Sequence, residues 1–210
     1  MPPDASRAAP RSRRDTREAI LNCAEELMLR RGFGGFAYQH IAVQLGIRNA
    51  AIHYHFPSKD DLGVALVQRY RGGFHAWVAD LPSGWSSWQT LRAYFETYGR
   101  YLQGEACRLC PGGALAAEFE TLPEPMRHEV RLLMRDIHQW LSDTLETGRR
   151  EGVLRFQGQP SDKAIELAAA LQGGLQTARL IGTQRFYQLL DQLALELTGE
   201  TPACDAGAMP

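Results

Sequence analysis

The stretch FAYQHIAVQLGIRNAAIHYHFPSKDDL, from Phe36 to Leu62, reads as two short helices joined by a glycine turn and followed by a capped third. Ile41, Ala42 and Leu45 place small and apolar side chains on one face of a helix over about 38–45. Gly46 supplies the left-handed residue that ends it, and Ile47 re-enters the core. A second helix is predicted from Asn49 to Phe56, with Ile52 and Phe56 facing inward and Asn49, His53 and Tyr54 facing out. Pro57 stops it. Ser58 then caps the next helix through its hydroxyl, with Lys59 at its start and Asp61 at the third helical position. The outward face carries amide, imidazole and phenol groups, donors and acceptors suited to base edges and phosphates. The pattern is that of a helix-turn-helix, a shape that also occurs as a plain helical hairpin without DNA.

Charge is distributed to match. The whole chain of 210 residues has a formal net charge of -1, but residues 1–61 hold nine Arg/Lys against seven Asp/Glu, and Arg7 to Arg17 alone holds five arginines against Asp15. The remaining residues hold 14 basic against 17 acidic side chains, so the end expected to meet DNA is positive and the rest negative. No run of about 20 apolar residues is present to span a membrane, and Met1 to Arg14 lacks the apolar centre of a signal peptide, so a cytoplasmic protein is expected. Four cysteines, Cys23, Cys107, Cys110 and Cys204, do not make a disulfide scaffold at this length.

Outside the quoted stretch the chain reads as nearly all helix. The first helix is capped by Asp15, with a stripe of Ile20, Leu21, Ala24, Leu27 and Met28 before Gly32. Further helices are predicted from Lys59 to about Ala79, Ser87 to Leu102, Ala114 to Glu120, Pro123 to Arg150, Ser161 or Asp162 to Ile181, and Gln184 to Leu197. Gly104 to Gly113 reads as a break, punctuated by Pro111-Gly112-Gly113. The expected organisation is a disordered basic arm over 1–14, a helix-turn-helix domain over 15–61, a ligand-sensing and dimerisation domain over 62–199, and a disordered tail over 200–210. Gly72-Gly73, inside a predicted helix, reads as a site of close packing or a hinge.

The run I-A-x-x-L-G-I followed by Y-H-F-P-S-K-D-D-L resembles the TetR/AcrR family of bacterial one-component repressors, over about 50 residues from Thr16 to Leu66. Three positions depart from the usual pattern: Ala37 stands at a Ser or Thr cap, Arg48 where Ser is common, and Ala51 where Ser or Thr is common. The resemblance implies an all-α fold, an N-terminal three-helix DNA-binding domain and a C-terminal helical domain that binds ligand and dimerises. Its partners would be double-stranded operator DNA, a second copy of the chain and a small-molecule or electrophile effector. Carried over position by position, it places Gln39, Asn49, Ala50, Ala51 and His53 toward bases, and Tyr38, Tyr54, His55 and Lys59 toward phosphates. Arg48, at the start of the recognition helix, is added here because a guanidinium reaches a guanine edge or a phosphate.

The last two predicted helices carry more apolar surface than one side of a small bundle needs, from Ile165 and Leu175 to Leu180, Phe186 and Leu193, with Gly173-Gly174 allowing close approach. In the family such helices form the four-helix bundle of a homodimer, and a twofold dimer suits a palindromic site. Between the DNA domain and these helices, Phe74, Trp77, Trp85, Trp88, Phe95, Tyr98, Tyr101, Phe119 and Trp140 could line an effector cavity or simply form core, with His138 and Gln176 as polar anchors.

Cys107-Arg108-Leu109-Cys110 is a C-x-x-C pair at a loop-to-helix junction, where Arg108 and the amides of Gly112 and Gly113 would lower a thiol pKa. The run Cys107 to Glu118 resembles a subset of the family in which some members sense electrophiles through a cysteine at the Cys110 position. The other reading is a buried, inert thiol. A single C-x-x-C lacks the remaining ligands of a zinc site, and no metal or other cofactor is expected. A thiol redox enzyme built on Cys107 and Cys110 would need a strand before the motif, and none is predicted. The expectation is therefore a regulator and not an enzyme, with a helical protein-interaction module as a further alternative.

Overall fold

A computed structural model describes residues 13–102 and 110–199. Among these the chain is all α: nine α-helices and two single 3-10 turns, with no strand. They are α1 (Arg13–Arg31), α2 (Tyr38–Leu45), α3 (Asn49–His55), α4 (Lys59–Ala79), α5 (Ser87–Gly99), α6 (Pro111–Ala117), α7 (Glu124–Glu151), α8 (Pro160–Ile181) and α9 (Gln184–Thr198), with 3-10 turns at Arg100–Leu102 and Phe119–Thr121.

Local chemistry sets most of these ends. Gly46 adopts φ +65°, and Ile47 donates back to the Ala42 carbonyl at 3.0 Å, which closes α2 and turns the chain into α3. Ser58 Oγ accepts from the amide of Asp61 at 3.1 Å, and the Asp61 carboxylate accepts from the amide of Ser58 at 2.9 Å, a reciprocal cap on α4. Ala37 has no side-chain oxygen to cap α2. Only the reciprocal bond of a capping box is made, His40 Nδ1 accepting from the Ala37 amide at 2.9 Å. Three expected ends move. The first helix starts at Arg13 and Asp15 lies within its first turn, so Arg13 and Arg14 are helical and not part of an arm. Pro111 begins α6 where punctuation was expected, because the first helical position does not use an amide and suits proline. The fifth helix tightens into a 3-10 turn after Gly99. Residues 1–12, 103–109 and 200–210, which hold most of the expected arm, most of the loop with Cys107, and the tail, lie outside the described residues.

Two cores hold the molecule together. The first joins α1 to α3 through Ile20, Met28, Ile41, Ile52 and Phe56, and it extends into Leu62, Leu66 and Val67 of α4, Leu115 of α6, and Met126, Val130 and Leu133 of α7. The second gathers Leu91, Phe95, Cys110, Leu141, Leu145, Leu171, Leu175 and Phe186. The three-helix head therefore shares its core with the N-terminal half of α4 and the start of α7. α4 and α7 run against each other, and an Arg71–Asp136 ion pair of 2.5 Å and a His75–Asp136 contact of 2.8 Å fasten their middles. A Cβ at Gly72 or Gly73 would meet nothing within 4 Å, so close packing does not explain these glycines, and Gly73 borders a cavity. No described helix is long and apolar enough to cross a membrane.

Candidate functional site

The short helix α3 is pinned from beneath by the fully buried Ile52 and by Phe56, which leaves one face outward. Arg48, Asn49, Ala50, His53 and Tyr54 are exposed there, with Ala51 and His55 half-buried at the edges, and Gln39 is exposed at the start of α2. The N-terminus of α1 adds cations to the same surface. The Arg13 guanidinium stands 4.8 Å from the Tyr54 ring centroid and that of Arg17 5.1 Å from Phe56. Burial, then Arg13 and Arg17, pushes the His55 imidazole below its ordinary pKa, favouring its neutral form. His53 is partly engaged: its Nδ1 lies 3.1 Å from the Pro57 carbonyl, and its ring packs edge-on against Tyr38.

Two expected phosphate ligands turn inward. Tyr38 is buried, and its hydroxyl donates to the carbonyls of Phe56, at 2.8 Å, and Ser58, stitching α2 to the α3–α4 junction. Burial, with Asp61 and Asp60 nearby, raises its pKa to about 12. Lys59 donates from Nζ to the Phe33 carbonyl at 2.6 Å and lies 4.6 Å from the ring centroids of both Phe33 and Phe36. Burial lowers its pKa against the opposing pull of Glu118 and Asp60. Both side chains take the hydrogen bonds of the head's interior in place of a ligand.

Above the head, α1, α4, α5, α6, α7 and α8 enclose a cavity of about 690 Å³. Of the residues named from the sequence, Phe74, Trp77, Tyr98, Tyr101 and His138 line it and Trp85 and Trp88 do not; Cys110, expected only at a loop-to-helix junction, also lies on its wall. Phe95 does not: it is buried in the second core against Trp88, and Tyr94, one position earlier, takes the cavity wall. Phe119 sits by the head's core under Arg131, Trp140 packs edge-on against Trp77 and at a tilt to Tyr94, and Gln176 is exposed on α8, all off the wall. Residues with no such signal in the sequence include Tyr70, Thr97, Met134 and Gln172, along with a charged corner formed by Glu25 and Arg69, 3.5 Å apart. No local signal marks Glu25, which reads as one more solvent-facing residue of α1. Most of the wall area is aromatic and aliphatic, and polar groups from Arg100, Thr97, His138, Gln172 and the tyrosine hydroxyls join the charged corner. Tyr94 and Tyr98 share a hydroxyl–hydroxyl bond of 2.9 Å, and His138 Nε2 lies 3.0 Å from the Ser161 carbonyl.

Cys110 is the N-cap of α6, with Sγ accepting from the Gly113 amide at 3.2 Å. The sequence pattern implied a lowered thiol pKa. Burial instead pushes it up, against the opposing hydrogen bonds from the amides of Gly113, Cys110 and Gly112, because a thiolate there would lose its water. Cys23 is likewise buried and free, and Cys107 lies outside the described residues. Among the described residues no group of three or more His, Cys, Asp or Glu is placed to hold a metal ion.

The exposed apolar side chains of α8 form a stripe through Ile165, Leu180 and Ile181, which are 59%, 84% and 63% exposed, and Leu195 of α9 is 38% exposed. Leu171, Leu175, Phe186, Leu193 and Leu197 are by contrast buried within the chain. The glycine pair divides in the same way: a Cβ at Gly174 would lie 2.4 Å from Leu189 Cδ2, whereas one at Gly173 would meet nothing.

Comparison with known proteins assigns both halves. Residues 20–66 match the family described as bacterial regulatory proteins, tetR family, and residues 87–193 match the tetracyclin repressor-like C-terminal domain. The chain is 30% identical over 183 residues to the HTH-type transcriptional repressor NemR of Escherichia coli K12, covering 86% of this chain and 91% of that protein. Its fold matches the crystal structure of a TetR family transcriptional regulator from Agrobacterium tumefaciens with a TM-score of 0.84 at 33% identity, over 89% of this chain and all of that one. It also matches the reduced form of E. coli NemR with a TM-score of 0.78 at 27% identity, over 90% and 99% of the two chains.

Proposed function

This chain belongs to the TetR family of bacterial regulatory proteins, and from that premise we propose that it acts as a homodimeric repressor, released from a palindromic operator when an effector enters its cavity. It is a helix-turn-helix DNA-binding regulator of transcription. The observation that carries the reading is the solvent-facing row of Arg48, Asn49, Ala50 and Tyr54 on a helix whose other face is locked by Ile52. In this reading Asn49, Ala50, Ala51, His53 and Gln39 meet base edges. Arg48, Tyr54 and His55, with Arg13 and Arg17 behind them, meet phosphates. The outward stripe of α8 and α9 supports pairing with a second copy, which would set two recognition helices side by side. The site of action is the cytoplasm, where the operator is.

The effector fits an aromatic molecule that carries a polar group, because Trp77, Tyr94, Tyr98 and Tyr101 form apolar walls while the Glu25–Arg69 corner, Arg100, His138 and Gln172 supply polar partners. Its occupancy shifts the population of head orientations through α4, which begins in the head's core at Leu62 and ends beside the cavity at Trp77. A second reading, covalent capture of an α,β-unsaturated carbonyl compound, is favoured by the place of Cys110 on the cavity wall: the sulfur bonds to the β-carbon, the C=C π bond opens, and the α-carbon takes up a proton from solvent in place of the one the thiol releases.

A DNA fragment from upstream of the chain's own gene tests the reading. The purified protein should shift it with an affinity that falls steeply with salt. Failure to bind it, together with turnover of dithiol substrates, would favour a thiol enzyme instead.

A further inference from the structure

Glu118 stands where α6 ends, and its carboxylate reaches into the turn that follows α1. Oε1 accepts from the amide of Phe33 at 2.7 Å and Oε2 from that of Gly34 at 2.6 Å. These are short, charge-assisted bonds between segments 85 and 84 residues apart in the sequence. The turn is shaped to receive the carboxylate: a Cβ at Gly32 would lie 1.9 Å from Oε1, and one at Gly34 2.9 Å from Oε2. On the other side of the same turn, the Phe33 carbonyl accepts from Lys59, the first residue of α4. One peptide turn thus ties the end of α6 to the start of α4, immediately before α2.

α6 also joins the two cores. Cys110, Pro111 and Gly112 form part of the cavity wall, while Leu115, only 1% exposed, is buried in the core of the head. At seven residues α6 is about 10 Å long, too short to absorb a displacement by bending. We infer that Glu118 is a latch through which the cavity and the DNA-reading head act on each other, with α6 carrying movement of the cavity wall to the Phe33–Gly34 turn. This route is separate from the long helix α4 and rests on the DNA-binding reading above. Because coupling is reciprocal, operator bound to the head must also change the environment of Cys110.

The test measures alkylation of Cys110 by iodoacetamide in the full chain, with and without saturating operator. It is read on the tryptic peptide that cleavage after Arg108 separates from Cys107. In the wild type, bound operator should change the rate on the order of fivefold or more. In Glu118→Ala, saturated with the same operator, the rate should be the same with and without DNA. Glu118→Gln, which keeps one carbonyl oxygen for one amide, should give a smaller change than the wild type and decides the matter if Glu118→Ala fails to fold. A full wild-type change in the variants, or no change in a wild-type chain with operator bound, overturns the latch. A wild-type chain that forms no complex with selected DNA removes the DNA-binding reading and the latch together, and the missing complex tells that outcome apart.

Discussion

Lys59 Nζ donates to the carbonyl oxygen of Phe33 at 2.6 Å, between the rings of Phe33 and Phe36, so the first cation of α4 holds the head together from inside. Replacing it with alanine should lower the stability of the chain by about 1 kcal/mol, below the roughly 1.5–3 kcal/mol of a hydrogen bond to a charged group because the side chain is only half-buried. The slope of log affinity against log salt should stay the same. A loss of roughly one unit of slope, with stability unchanged, would return Lys59 to a phosphate.

The exposed amide of Asn49 opens α3 and has no role in the core. Asn49→Ala should weaken binding to the preferred operator by about 1–3 kcal/mol and leave binding to unrelated DNA nearly unchanged. Competition titrations with the two DNAs measure the difference, and equal losses on both would move Asn49 from base reading to backbone positioning.

Most of the head was legible in the sequence because its signals are local. Gly46, Ser58 with Asp61, and Pro57 each fix an end within a few residues: α2 ends, α3 ends and α4 begins where those residues place them. The inward turns of Tyr38 and Lys59 were not legible. Each depends on a carbonyl 18 to 26 residues away, at Phe56, Ser58 or Phe33. In the cavity, Tyr94 and Phe95 are neighbours on one helix, and nothing local shows which of them meets α7 and α8 as wall and which as core. Glu118 gave no signal either, because its partners are backbone amides in another domain.

Leu180, 84% exposed at the end of α8, is the most exposed apolar side chain on the stripe assigned to the dimer. Leu180→Glu should convert the dimer to monomer in sedimentation and remove high-affinity operator binding, with little loss of helix. Gly174→Ala should act differently, destabilising the subunit itself by about 1–3 kcal/mol because its Cβ would press on Leu189. A Leu180→Glu chain that stays dimeric would place the interface elsewhere.

Burial raises the Cys110 pKa, so the thiol is protonated across the neutral range. Alkylation at Cys110 should rise by roughly tenfold per pH unit through neutral and mildly alkaline pH, without a plateau near neutrality. The sign for stability follows: the buried neutral thiol contributes fully below the ordinary thiol pKa, and its contribution is lost as pH rises through the raised one. A rate plateau below pH 8 would show that the amides of Gly112 and Gly113 outweigh burial after all.

The central claim, a twofold dimer reading DNA with α3, is tested most directly by sequencing fragments that the purified protein selects from a random pool. The account predicts an inverted repeat with half-sites about one helical turn apart, roughly 34–36 Å or somewhat further, recovered in complexes of two or more chains. Enrichment of single asymmetric half-sites bound by one chain, or no enrichment at all, would contradict it.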